Sequence, residues 1–323
     1  AVIVCEPELD KALMISPLLK FLDDHQIPHI IFINKMDSAS VGVKATLEGL
    51  QAVSERPLVL REIPMRDGET VSGHVDLVSE RAFEWKEGKA SDLMQIPESI
   101  ETREADARTE MLETLADFDD KLLEELLEDI APSTEEIYQN LTRDFQQDSI
   151  VPVFFGSAEN DHGVVRLLKA LRHEAPEADL TAERLGLDKS APSAQVFKTL
   201  YAGHAGKLSY VRVFAGSIKD GSDLNGQRVS GVYGLLGQKQ NKQALATAGE
   251  VVALGRLDNA ETGKSLSEKG AKLADAWPAP LTPLFSMAVH AENRSDEVKL
   301  SGVLTKLVEE DPSLAIEQSQ DSG

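Results

Sequence analysis

The apolar run Ile30 to Ile33 stops on Asn34-Lys35-Met36-Asp37, four residues whose types and order suit the reading of a single purine base. A carboxylate at Asp37 can accept from two adjacent N–H groups, the pair that guanine presents at N1 and its exocyclic N2 and that adenine lacks. Asn34 carries a donor and an acceptor on one side chain, suited to the purine edge and to bracing nearby loops, while Lys35 can lay its methylene stem over the base. A site built on hydrogen bonds leaves buried groups unpaired when the wrong base enters, so discrimination of about 10⁴ to 10⁵ is within its reach. A second loop, Gly156-Ser157-Ala158, also follows a buried apolar run, and its backbone amides could bind the guanine O6. Asn-Lys-x-Asp alone is a weak signal. Two such loops on neighbouring strands, in this order, make guanine binding the better reading.

A nucleotide also needs its phosphates held, usually by G-x-x-x-x-G-K-[ST] between a strand and a helix. Gly263-Lys264-Ser265 has Asp258 where the first glycine belongs and lies in a β-rich stretch, so it reads as a hairpin turn. Asp223-Leu224-Asn225-Gly226 matches Asp-x-x-Gly only in letters, because it follows the guanine motif instead of preceding it. The phosphate loop is expected upstream of Asn34, where only 33 residues remain. The chain is therefore expected to be a fragment with the base-reading half of a nucleotide domain and without the catalytic half. No catalytic and no metal-ligating residue is assigned, and His162 reads as an ordinary loop histidine.

The elements around these loops follow from periodicity. AVIVCEP reads as a short buried strand, SPLLKFLDDHQI as a helix with Leu18, Leu19 and Leu22 on one stripe, and PHIIFINKMD as a second buried strand. That order builds a parallel sheet, whose ligand loops lie at the carboxyl ends of the strands. RPLVLREIP and VSGHVDLV read as β-segments joined at Arg66-Asp67-Gly68. Ile100, Ala107, Met111, Leu112 and Leu115 mark an amphipathic helix, KLLEELLEDI a second, and Ser133 with Glu136 the capping box of a third. After the strand IVPVFF and the helix GVVRLLKALRHEAP, residues 177 to 191 read as a polar linker. Beyond it AQVFKTLY, GKLSYVRVFAG and GEVVALGRL alternate with period two, the pattern of a small β-barrel. PLFSMAVH and the following SDEVKLSGVLTKLVEE read as a strand and an amphipathic helix.

Bulk properties limit the partners. The net charge of −22 repels nucleic acid at long range, and between Glu98 and Asp148 there are 17 Asp or Glu against 4 Lys or Arg. That stretch is either a solvated helical face or a docking surface. No apolar run approaches the ~20 residues of a membrane span. The N-terminus resembles neither a signal nor a transit peptide. Cys5 is the only cysteine, which excludes an intrachain disulfide and fits a reducing compartment, so a cytoplasmic location is expected.

NKMD, the 120 residues between Asp37 and Ser157, the GSA loop with its helix ending at a proline, FKTLYAGHAGKLSYVRVFAGSIKDG and SDEVKLSGVLTKLVEEDPSL together resemble a translational GTPase of the elongation factor G type. The resemblance covers nearly the whole chain. It implies an α/β fold: a partial P-loop-type G domain, a parallel sheet with an α+β insertion, followed by a β-barrel and the start of an α+β domain. The implied limits are 1–176 for the C-terminal part of the G domain with its insertion at about 57–147, 177–280 for the barrel (domain II), and 281–323 for the start of domain III. HAENRSDEVKL stands where better-known members carry a Pro-Lys pair, and with the distinctive VYGLLGQKQNKQ it implies an elongation factor G-like paralogue instead of the housekeeping factor.

For the intact parent the resemblance implies GTP or GDP with magnesium, GTP hydrolysis, and the ribosome as partner in elongation, with no membrane and no DNA. In this chain Asn34, Lys35, Asp37, Ser157 and Ala158 would read the base, and no bound cofactor is expected. The alternatives are a non-enzymatic acidic adaptor or, within the class, a ribosome-protection or release-factor GTPase.

Overall fold

The computed structural model describes residues 1–317 except 40–41, 69, 87, 90, 190, 203–205, 238, 269–278 and 281. The chain forms two compact units, Ala1–Pro176 and Glu177–Gly323. The expected limit at 280 to 281 adjoins residues outside those described.

The first unit runs β1 (Val2–Cys5), α1 (Leu9–Leu13), α2 (Ser16–Asp24), β2 (Ile30–Ile33), α3 (Val43–Gln51), β3 (Leu58–Leu60), β4 (Glu62–Asp67), β5 (Thr70–Asp76), β6 (Arg81–Glu84), β7 (Asp92–Met94), α4 (Glu98–Ala116), α5 (Asp120–Leu127), α6 (Thr134–Gln146), β8 (Val151–Phe155) and α7 (Val164–Glu174). Strands β1, β2, β8 and β3 pair in that order, all parallel. Every residue of β2 is buried because both faces of the sheet are covered. Ile31 and Ile33 join Leu19, Leu22, Val153 and Phe155 on one face, while Ile30 and Phe32 join Phe154, Leu115 and Leu141 on the other.

The edge strand is less buried than expected. Ile3 and Cys5 enter the core, but Val2 and Val4 are exposed, because nothing described covers the second face of β1. Leu18 likewise points outward, so the helix stripe is Leu19 and Leu22 alone.

The segment RPLVLREIP reads as one β-run in sequence and is divided in space. Leu58–Leu60 pairs with β8 in the parallel sheet, and Glu62–Asp67 opens an antiparallel sheet of order β4-β5-β6-β7. The switch falls at Arg61, whose N–H donates to Val153 O at 3.0 Å and whose carbonyl accepts from Leu77 N at 3.1 Å. Helices α4 to α6 follow. Ile100, Met111, Leu112 and Leu115 are their buried contribution from α4. The cap of α6 is half of a capping box: Ser133 Oγ accepts from Glu136 N at 3.2 Å, while the Glu136 carboxylate pairs with Lys121.

The second unit opens with α8 (Ala178–Arg184), a helix where a polar linker was expected; Ala182 is buried and supplies the one apolar anchor that its polar sequence conceals. Next come β9 (Ser193–Ala202), β10 (Gly206–Ala215), β11 (Ser217–Lys219), β12 (Asp223–Leu224), β13 (Gln227–Arg228), β14 (Val232–Leu236), β15 (Lys239–Gln243), β16 (Leu245–Thr247), β17 (Val251–Gly255), β18 (Ser265–Ser267) and α9 (Glu297–Glu310). A six-stranded antiparallel sheet has the order β15-β14-β17-β10-β9-β18, and β11-β16 and β12-β13 form two small ribbons. Val196, Val211, Val213, Val252 and Leu254 are the inward half of the period-two pattern. Gly263-Lys264-Ser265 is a turn entering β18, with Lys264 N bonded to Glu261 O at 3.0 Å.

PLFSMAVH forms no strand among its described residues. Leu284 is 98% exposed and Phe285 83%, and an extended segment without a partner strand has no ladder to join. Helix α9 forms as expected and rests on β9. Tyr201 O–H donates to Glu309 Oε2 at 2.6 Å, Tyr201 N to Glu310 Oε1 at 2.5 Å, and Lys207 Nζ lies 2.8 Å from Glu309.

Candidate functional site

The two loops singled out by sequence meet at the carboxyl ends of β2 and β8, adjacent parallel strands with Ile33 opposite Phe155. Their backbones interlock. Gly156 N donates to Ile33 O at 2.9 Å, Met36 N donates to Gly156 O at 3.0 Å, and Asn34 N donates to Cys5 O at 2.8 Å.

Lys35 adopts φ +61°, the left-handed region that costs an ordinary residue about 1 kcal/mol. The turn there sends the Met36 side chain into the core and leaves Lys35 and Asp37 at the surface. Lys35 Nζ pairs with Glu6, which also holds Lys11. The hydrogen bond from Lys11, then that from Lys35, pulls the Glu6 carboxyl down to about 2. The lysine stem is thus tethered at its far end beside β1. Asp37 is exposed and its carboxylate makes no hydrogen bond or ion pair among the described residues, so both oxygens can accept from a base edge.

On the facing loop, the side chain of Asn34 accepts from Ala158 N at 2.8 Å. The Ala158 amide, one of those expected to bind a guanine O6, is thus engaged by the Asn34 side chain. Ser157 N donates to His162 O at 3.0 Å, and the Gly156 and Ala158 amides are bonded to Ile33 and Asn34. The bracing role of Asn34 is the one visible here. Ser157 is buried, its Oγ accepting from Asn160 Nδ2 at 3.1 Å, while Ala158 is exposed. A Cβ on Gly156 would lie 2.1 Å from His162 O, and Gly163 holds φ +75° with Phe155 O 2.3 Å from its would-be Cβ. Only glycine allows the loop to fold this tightly onto the end of β8.

Sequence reasoning missed the support beneath the loop. The His162 ring stacks on Trp85, with centroids 4.8 Å apart and planes at 21°. Trp85 follows β6 of the antiparallel sheet, is buried, and also meets Phe155 edge-on. Its Nε1–H donates to His74 Nδ1 at 3.0 Å, which fixes the proton of a neutral His74 on Nε2, the nitrogen 3.5 Å from Glu62. Glu62 Oε1 in turn accepts from Phe155 N at 3.1 Å, and full burial pushes its carboxyl up.

Two ion pairs lie in the same seam. Arg61 binds Glu174 through Nη1 at 2.5 Å and Nη2 at 3.3 Å, its guanidinium 5.4 Å from the Phe154 ring. Asp76 accepts from Arg166 Nε at 2.9 Å and from Ser79 N at 2.8 Å. Burial alone would raise its carboxyl, and Arg166 with the Ser79 bonds brings it below the usual range.

The comparisons agree with this geometry. The elongation factor Tu GTP-binding domain family matches residues 1–177, elongation factor G domain 2 matches 191–269, and elongation factor G domain III matches 281–323. The chain belongs to the translational GTPases of elongation factor G type.

An elongation factor G-like protein of Synechocystis sp. is 46% identical over 325 residues, covering 100% of this chain and 48% of the relative. An elongation factor G of Fervidobacterium nodosum is 28% identical over 323 residues, covering 93% and 46%. The crystal structure of a Thermus thermophilus protein superposes with a TM-score of 0.82 at 25% identity, covering 95% of this chain and 46% of that one. The chain therefore spans about half the length of the relatives it matches. Within it the open Asp37 carboxylate is an acceptor of the kind that the paired N1–H and N2–H of a guanine base would require. The chain does not supply a phosphate cradle: no G-x-x-x-x-G-K-[ST] occurs, and no cluster of three metal-ligating side chains exists among the described residues.

Proposed function

We propose that this chain carries the base-reading corner of a guanine-nucleotide site in a protein that binds and hydrolyses GTP during ribosome-associated elongation. The observation that supports it most is the Asn34 to Ala158 hydrogen bond, which joins the Asn-Lys-Met-Asp and Gly-Ser-Ala loops while leaving the Asp37 carboxylate open. Asp37 accepts from guanine N1 and N2, Asn34 braces the facing loop, Lys35 covers the base, and Ser157 and Ala158 shape the O6 side. In the whole protein the phosphates and magnesium would be held by residues other than these five, as the family likeness implies, and would supply the charge that orders switch segments. In the same reading 177–280 is the barrel, 281–323 begins domain III, the ribosome is the partner, and the protein works in the cytoplasm.

The test is GTP hydrolysis by the whole protein with and without ribosomes, for wild type and Asn34→Ala. The base contacts are made equally in ground and transition states, so Asn34→Ala should raise KM about tenfold with kcat little changed. Ribosomes should stimulate the wild type. Hydrolysis indifferent to ribosomes, or a KM untouched by the substitution, would contradict the reading.

A further inference from the structure

We infer that Trp85, carried by the antiparallel sheet and remote in sequence from both base-reading loops, is a positioning residue for the Gly156–Ala158 loop. The inference rests on the guanine reading of that loop. Ser157 and His162 exchange backbone hydrogen bonds, Ser157 N to His162 O at 3.0 Å and His162 N to Ser157 O at 2.9 Å, so they close the loop as a two-residue clasp. His162 is one half of that clasp, and its ring lies flat on Trp85 at 4.8 Å.

Trp85 is itself held on three sides. Its N–H donates to Ser72 O at 2.8 Å, its indole donates to His74, and its edge meets Phe155. Phe155 is the last residue of β8 and donates to Glu62, whose other oxygen faces His74. The contacts therefore run in a ring from the strand end through Glu62, His74, Trp85 and His162 back to the loop that leaves the same strand. A shift of the antiparallel sheet moves the indole, and the indole moves the clasp.

A tryptophan that merely filled space would need no flat partner on the loop side. Its contribution is separable from its packing because Phe retains a stacking face while losing the indole N–H and part of the ring area, whereas Ala loses the face altogether. His162 sits in a loop and is partly exposed, with both ring nitrogens buried, so its removal is read beside a ligand that reports general destabilisation.

The experiment measures GDP and pyrophosphate affinity of the whole protein for wild type, Trp85→Phe, Trp85→Ala, His162→Ala and the Trp85→Ala/His162→Ala double variant, with Asp37→Asn as control. Amide exchange at Ser157 and His162 is followed alongside. His162→Ala and Trp85→Ala should each weaken GDP about tenfold, leave pyrophosphate unchanged, and speed exchange at both amides. The double variant should be no worse than either single one, because both remove the same stack. Trp85→Phe should stay within about twofold of wild type.

General destabilisation would lower both ligands together, and that outcome overturns the inference. If Trp85→Ala does not fold, His162→Ala with Trp85→Phe carries the test. GDP affinity unchanged in His162→Ala while Asp37→Asn loses it would overturn the positioning role and leave the guanine reading intact. Unchanged affinity in Asp37→Asn as well would remove the guanine reading and this inference with it.

Discussion

The base-reading corner and the seam beneath it use polar residues in opposite ways. At the corner, Lys35 and Asp37 sit at the surface, and Lys35 directs its charge to Glu6 in water, where an ion pair adds little to stability. In the seam, Arg61, Glu62, Asp76 and Glu174 are taken almost wholly out of water, and each is matched by a partner from a different element. Ligand recognition needs groups left open, so it is placed where an unmatched carboxylate costs little. The junction between two sheets needs a single geometry, and buried pairs penalise every other arrangement.

The contrast can be broken at either end. The largest effect is expected from Arg61→Met, which strands the Glu174 carboxylate in the core. Unfolding free energy should fall by about 3–5 kcal/mol, read by urea denaturation of the chain. A loss below about 1 kcal/mol would mean that the seam is not what fixes the two sheets.

Asn34→Ala should be much milder. It removes one partly exposed hydrogen bond and should lower stability by about 1 kcal/mol, while amide exchange at Ala158 rises at least tenfold. Equal exchange in both proteins would show that the loops are not joined through Asn34.

The second unit supplies a pH test of the same contrast. Partial burial, then the hydrogen bond to Glu309, pushes the Tyr201 phenol up to about 12. The folded value lies above the unfolded one of about 10, so its contribution is complete below pH 10 and is lost as pH rises toward 12. Absorbance titration should find Tyr201 among the last of the four tyrosines to ionise, and Glu309→Gln should bring it earlier.

The smallest effect is expected at Glu6, whose carboxyl lies at about 2, below its unfolded value. Its pairing is complete above about pH 4.5 and is lost as pH falls through the folded value. Glu6→Gln should leave the urea midpoint unchanged. A carbon-detected titration of the Glu6 carboxyl should move toward ordinary values in Lys11→Ala, and no movement would break the account of that corner.

Much of this was legible in residue order. The run Ile30–Ile33 fixed a doubly covered strand, and the motif after it fixed where a ligand loop should lie. The spacing of Ile100, Ala107, Met111, Leu112 and Leu115 described the buried stripe of α4 except at Ala107, which is only partly buried. What was hidden depended on partners far along the chain. RPLVLREIP reads only as a β-segment, yet its Arg61 and Glu62 each find a partner about a hundred residues on, at Glu174 and Phe155. Separation along the chain likewise concealed Trp85 beneath His162. The amides of Gly156-Ser157-Ala158 looked free because a sequence does not show that Asn34 and His162 already accept from them. PLFSMAVH had strand composition but lacks a partner strand among the described residues, and composition alone makes no ladder.

The most direct measurement of the central claim is a competition between GDP and xanthosine diphosphate on the whole protein carrying Asp37→Asn. Xanthine has a carbonyl where guanine has its N2 amino group, so an amide at position 37 can donate to the C2 carbonyl and accept from N1. Wild type should prefer GDP and Asp37→Asn the xanthine nucleotide, a reversal of at least about a hundredfold in the affinity ratio. A variant that keeps the wild-type preference would show that Asp37 does not face the base, and the guanine-reading assignment would be wrong.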